Sequence, residues 1–199
     1  MKAKQGGFTL LEMMIAISLL AILLSFGLPN FRDFIRNARL AAAANDVIAD
    51  MNFARSEAIK RRVPVTLCKS DDAATCDDST TSEFRGWIIF VDDADAAVDA
   101  AEDGDGAVDA GEVILRTGGI APEIDDALSG TRLRSTFLSS GFVKPDAANL
   151  TQILFCDVRG NAVAAGGDSA ARGITISATG RAVVTRNPTI IEDQLGGCP

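Results

Sequence analysis

Four groups of side chains in this 199-residue chain are typed and spaced for chemistry. Glu12 is the single ionisable group inside an apolar run from Phe8 to Leu28. A carboxylate within a bilayer costs on the order of 3 kcal/mol, so it points to function and asks for a cationic partner. Cys68, Cys76, Cys156 and Cys198 bring disulfide or metal chemistry. Asp103, Asp105, Asp109 and Glu112, with Gly106 at the sharp turn, overlay positions three to twelve of a calcium-binding loop, although its first ligand position falls on Ala101. The plainer reading of that stretch is a solvated acidic hairpin loop. Arg172, Arg181 and Arg186, joined by Arg159 and Lys144, are the cations near the C-terminus that phosphate groups would need.

Composition narrows these options. The chain has no histidine and no tyrosine, which removes the commonest general base and the commonest metal ligand. Ser-His-Asp and Cys-His nucleophile systems cannot be assembled, and no enzyme activity is expected. No cofactor is expected beyond calcium at the acidic loop. The formal net charge is −8, so any nucleic acid must be held locally rather than by the whole surface. No Cys-x-x-Cys pair is present, which disfavours redox chemistry.

The elements that must position these groups follow from periodicity. Phe8 to Leu28 is about 21 residues, or about 31 Å as a helix, enough for a bilayer's hydrocarbon core. Helical spacing continues beyond Asn30: Leu40, Ala44, Val47, Met51, Ala54 and Ala58 fall on one face. Pro29 is expected to bend or locally melt the helix, and Pro64 to end it near Arg62. Beyond it lie short β-type runs: Val65–Lys69, Trp87–Val91, Val113–Thr117, Leu133–Leu138, Gln152–Asp157, Gly173–Ser177 and Arg181–Thr185. They do not alternate with helices, so the fold class is α+β, with a long N-terminal helix packed on an antiparallel β-rich head.

A basic leader, then Gly6-Gly7, then Phe8-Thr9-Leu10-Leu11-Glu12, places the small residues before the apolar run, whereas a secretory signal places its cleavage site after it. This order resembles the class III leader of type IV prepilins. The resemblance implies that a membrane peptidase cuts between Gly7 and Phe8 and methylates Phe8. It also implies that Glu12 pairs with the N-terminal ammonium of a neighbouring subunit during assembly. Loss of Lys2 and Lys4 would take the formal charge from −8 to −10.

Asn52-Phe53-Ala54-Arg55-Ser56-Glu57-Ala58-Ile59-Lys60-Arg61, Val65-Thr66-Leu67-Cys68, Gly86-Trp87-Ile88-Ile89-Phe90-Val91-Asp92 and Ile176-Ser177-Ala178-Thr179-Gly180-Arg181 are similar to the GspH/FimT family of minor pilins and pseudopilins. That likeness implies a type IV pilin-like fold divided into a leader (1–7), a transmembrane or filament-core helix half (8–34) and a globular head (35–199). It implies a structural subunit that helps initiate or cap a type IV pilus or a type II secretion pseudopilus, with other pilins, prepilin peptidase and the inner membrane as partners. The head would lie in the periplasm and the subunit later in the filament, at or near its tip. DNA-uptake members of the family contact double-stranded DNA through a Gly-Arg-x-Arg motif in this region. Here Gly180-Arg181-Ala182-Val183 lacks the second arginine, and Arg186 comes five residues after Arg181.

With an export signal in front of them, the four cysteines read as two disulfides, which allow three pairings. A Cys68–Cys76 closure would pinch the polar stretch Lys69–Thr75, and Cys156–Cys198 would then pin the C-terminal tail. On the chain-entropy relation these closures contribute about 2.6 and about 4 kcal/mol.

Overall fold

The computed structural model describes residues 7–77, 86–92, 106–109, 111–121, 124–126, 134–145, 151–193 and 195–198, with the side chains of 26–30 and 125–126 outside that description. The chain divides into two compact units, Met1–Ala38 and Arg39–Pro199. One helix, α1 (Leu10–Arg61), contributes to both.

In the first unit the helix begins at an N-cap. The Thr9 hydroxyl accepts a hydrogen bond from the Glu12 amide at 3.2 Å, and the Thr9 carbonyl accepts one from the Met13 amide at 3.2 Å. Ser18 and Ser25 return their hydroxyls to the carbonyls of Met14 and Ile22, so neither presents an unused donor to the apolar surface. Phe8, Leu10, Leu11, Ile17 and Leu23 are exposed. Among the described residues no helix is long and apolar enough to cross a membrane. The expected span runs past Ser25 into residues 26–28, whose side chains lie outside that description.

The melting considered at Pro29 does not occur, since α1 is helical across it. Proline removes one hydrogen bond of the ladder, and long helical stretches on either side keep the rest. The helix stops at Arg61 because Arg62 takes a left-handed conformation (φ 63°), its amide still donating to the Ala58 carbonyl at 2.9 Å. That is the C-terminal geometry usually given to glycine.

In the second unit the strands form two antiparallel sheets. Strands β1 (Val65–Lys69), β2 (Gly86–Val91), β3 (Ile114–Gly119) and β5 (Arg134–Phe137) make a sheet in the order β3-β2-β1-β5. Strands β4 (Asp125–Asp126), β6 (Gln152–Cys156), β7 (Arg172–Ile176) and β8 (Ala182–Thr185) make the other, in the order β4-β6-β7-β8. The C-terminal helix α2 (Pro188–Asp193) completes the order of elements. Neither β4 nor α2 is among the expected elements.

The core joins the helix to both sheets. Leu40, Ala43, Ala44, Val47, Met51, Ala54 and Ala58 pack with Val65, Leu67, Trp87, Ile89 and Phe137 of the first sheet and Ile153, Phe155, Ile174 and Ile176 of the second. The four alanines leave room for a close approach. Asp50, buried on the same helix, accepts the Trp87 indole N–H at 2.7 Å and an Arg116 guanidinium N–H at 2.5 Å. Arg116 also lies 4.2 Å from the centroid of the Phe53 ring. Gly118 is required beside Trp87, because a Cβ there would stand 2.1 Å from the indole ring.

Arginine at the left-handed position after α1 costs about 1 kcal/mol relative to glycine. Arg62→Gly is therefore expected to stabilise the protein by about that amount and raise its Tm by about 2–4 °C. A thermal melt of the full chain measures it, and an unchanged or lowered Tm would refute the strain at this residue.

Candidate functional site

The expected functional residues fall into separate places. At the start of α1, Gly7, Phe8 and Thr9 precede the helix and Glu12 lies in its first turn. Thr9 with Glu12 three residues on is a capping-box pair, and the observed half of it is the amide of Glu12 donating to the Thr9 hydroxyl. This role of Thr9 was not anticipated, although Thr-x-x-Glu before an apolar run signals it. A carboxylate in the first turn is also favoured by the helix dipole. Among the described residues no atom lies near the position of a Cβ on Gly7, and Phe8 is 79 % exposed.

The cysteines are paired as Cys68–Cys76 and Cys156–Cys198. Cys68 and Cys76 pack with Ile88, Phe90, Val108 and Ile114 in a satellite cluster. Cys156 and Cys198 sit with Leu154, Ala171, Ile190, Ile191 and Leu195, so the second bond fastens α2 to its sheet. Asn187 caps that helix, its side-chain oxygen accepting the Thr189 amide at 3.0 Å. Asn-Pro at the start of α2 is the sequence signal for this short helix.

Within the 68–76 loop, Asp72 gathers hydrogen bonds from the Thr75 amide, the Ala74 amide, the Thr75 hydroxyl and the Ser70 hydroxyl. The Thr75 and Ala74 amides lead in holding its carboxyl far below the usual carboxylate range. Lys69, fully buried in β1, pairs with Asp77 at 3.3 Å just past the loop. Glu57 is likewise held low, by Arg61 first and then Lys60.

The acidic stretch is only partly visible. Asp103 and Asp105 lie outside the described residues. Asp109 and Glu112 close a turn on each other: the Glu112 carboxylate accepts the Asp109 amide at 2.8 Å, and the Glu112 amide donates to the Asp109 carbonyl at 3.2 Å. Among the described residues no group of three or more acidic, histidine or cysteine side chains is placed to hold a metal. Gly106 has φ +79° and donates its amide to Asp92 at 3.1 Å. Asp92, at the end of β2, takes no part in a solvated acidic loop. It is fully buried and accepts the Thr66 hydroxyl, which in turn lies 2.6 Å from the Thr136 hydroxyl.

Arg172, Arg181 and Arg186 are not brought together at a surface. Arg172 is 6 % exposed and donates to the carbonyls of Ala170 at 2.9 Å and Ala171 at 3.0 Å. Burial first, and then the charges of Arg186 and Arg159, lower its pKa. Arg186, after β8, pairs with Asp168 at 3.0 Å, and Arg159 is held by Asp157 at 2.5 Å. Arg181 precedes β8, roughly 16 Å from Arg186 along an extended strand. Its side chain is exposed and has no partner among the described residues.

A long helix seated on antiparallel sheets, with a capped, glutamate-bearing apolar segment at its start, defines a pilin-like class of protein. Residues 2–28 match the prokaryotic N-terminal methylation motif. Residues 43–180 match the family described as Type II transport protein GspH, and the chain belongs to that family. It is also similar to Type IV major fimbrial protein FimA of Dichelobacter nodosus, at 30% identity over 75% of this chain and 92% of that protein. A fimbrial protein of the same organism is 29% identical over 75% of this chain and 92% of its own length. A crystal structure of the type IV minor pilin FimU from Pseudomonas aeruginosa aligns at a TM-score of 0.45 and 20% identity, covering 73% of this chain and 91% of that one.

The depressed carboxyl of Asp72 has a pH consequence of definite sign. Its hydrogen bonds contribute stability in full above the unfolded pKa of about 4 and lose it as pH falls toward the much lower folded value. The stability difference between wild type and Asp72→Asn is expected to be constant above about pH 5 and to shrink steadily below about pH 4. Thermal melts from pH 7 to pH 2 measure it, and a difference that grew on acidification would contradict the assignment.

Proposed function

We propose that this chain is a minor subunit that helps start or cap a type IV pilus or a type II secretion pseudopilus. The observation that carries the reading is the start of α1, where Gly7, Phe8 and the Thr9 cap lead into an exposed apolar helix with Glu12 in its first turn. Cleavage by prepilin peptidase between Gly7 and Phe8 would free an amine, which is then methylated. Glu12 of one subunit would neutralise the amine of its neighbour, since neither charge is tolerated alone among apolar helices. Before assembly the apolar segment would hold the chain in the inner membrane as a single pass, with the disulfide-bonded head in the periplasm. The GspH match over residues 43–180 supports a pilin or pseudopilin subunit.

A second reading, DNA capture during uptake, rests on the exposed Arg181 alone. One guanidinium supplies one phosphate contact on an acidic protein, which is weak and strongly salt-dependent binding.

Glu12→Ala is expected to leave the head folded and the leader processed, yet to reduce incorporation into filaments at least tenfold. Immunoblots of sheared filaments against whole cells measure it. Normal incorporation would overturn the pairing role, and an unprocessed leader in the wild-type chain would overturn the subunit reading itself.

A further inference from the structure

The four strands at the sheet edges are protected unequally. Strand β4 has two residues, too short to template a partner. The chain returns along β5, with the Lys144 amide donating to Thr136 and the Leu138 amide to Phe142. Strand β3 pairs with β2 through a register shift at Ile89/Phe90, a bulge of the kind that spoils an edge. Strand β8 has no such device. Its residues, Ala182-Val183-Val184-Thr185, include no charge and no proline.

The ladder between β7 and β8 opens with the Ser177 amide donating to the Arg181 carbonyl at 3.0 Å. Antiparallel alternation then turns the main-chain groups of Ala182 and Val184 away from β7. Among the described residues nothing pairs with them. Beside this edge lies a cavity of about 430 Å³ lined by Thr175, Ile176, Ser177, Thr179, Arg181 and Val183. Among the described residues that line it, Arg181 carries the only charge. Val183 and Val184 are 45 % and 37 % exposed.

We infer that the β8 edge and its cavity form a docking site for an extended peptide segment of a partner protein, added antiparallel to β8 with a carboxylate on Arg181. An antiparallel arrangement brings the C-terminal end of the added strand to Arg181, at the N-terminal end of β8. Main-chain groups of Ala182 and Val184 would supply the ladder, and the cavity would take one side chain and the acid. Charge complementarity selects the acid. A peptide fits better than DNA, because DNA needs clustered cations while Arg172 is buried and Arg186 is paired with Asp168. The site depends on the head alone and does not require the filament reading.

The probe is the fluorescein-labelled peptide Val-Thr-Val-Thr-Glu with a free C-terminal carboxyl, titrated by anisotropy against the full-length chain in detergent micelles. Its counterpart carries Gln for Glu and an amidated end. The acid peptide is expected to bind at least tenfold tighter than the amide, and Arg181→Ala should abolish that preference. Val184→Pro removes one outward N–H of the edge and should weaken both peptides, while a thermal melt reports whether the variant is folded. A peptide N-methylated on alternate residues tests the ladder without altering the protein, and should not bind. No binding of the acid peptide at ~1 mM, or equal binding of the N-methylated one, would overturn the proposal. So would a 20-base-pair DNA duplex that binds the wild type, is lost with Arg181→Ala and is unaffected by Val184→Pro.

Discussion

The head depends on one helix face shared by two sheets. The first sheet presents Val65, Leu67, Trp87, Ile89 and Phe137 to α1, and the second presents Ile153, Phe155, Ile174 and Ile176. Both sets meet the same row of Leu40, Ala44, Val47, Met51, Ala54 and Ala58. Removing the helix would therefore expose the inner side of both sheets at once. Asp50 gives this face its register. Its two oxygens are taken by Trp87 of β2 and Arg116 of β3, so helix and sheet are fixed by directed bonds as well as by area. A buried carboxylate is tolerated there because both of its partners are present.

The outer sides of the sheets are handled differently. Each carries a small satellite cluster, and each cluster is closed by a disulfide. Apolar area alone is modest in these clusters, and the covalent bond restricts the loop or tail that covers them. Polar groups do the same work locally: Asp72 organises the 68–76 loop and Asp92 fastens Gly106 over β1. The acidic balance of the chain is thus partly structural. Asp50, Asp72 and Asp92 each spend their charge on named donors rather than on solvent or a ligand.

The helix and most strands were legible because their signals are periodic. The apolar face of α1 was read residue by residue from spacings of three and four, and all six residues named are buried. Strand β1 runs Val65–Lys69, with the bounds its β-branched run and the flanking Pro64 indicated. The division into two sheets was not legible, since sequence alternation gives a face but not a neighbour. Strand β4 is too short to have a period. Buried ionic groups were also hidden: Lys69 looks like a strand-end surface lysine until Asp77 folds back on it across the disulfide loop. Asp92 belongs to an acidic run in sequence, yet it continues straight from β2 and inherits that strand's burial.

The arginines show why residue type and proximity in sequence do not make a site. Arg172, Arg181 and Arg186 lie within fifteen positions, yet the hairpin of β7 and β8 sends them to different fates. Arg172 stands at the start of β7, where inward-facing backbone carbonyls at Ala170 and Ala171 need donors, and it is consumed there. Arg186 leaves β8 at the same end of the hairpin, since Gly173 is opposite Thr185, and Asp168 meets it. Arg181 sits at the far end, where the turn residues Ser177 and Thr179 bond to each other and nothing among the described residues pairs with the guanidinium. The hairpin therefore separates two arginines that hold the fold from one that does not. Among the described residues Arg181 is a cation without a partner, and it stands beside the β8 edge, whose outward main-chain groups at Ala182 and Val184 are likewise unpaired.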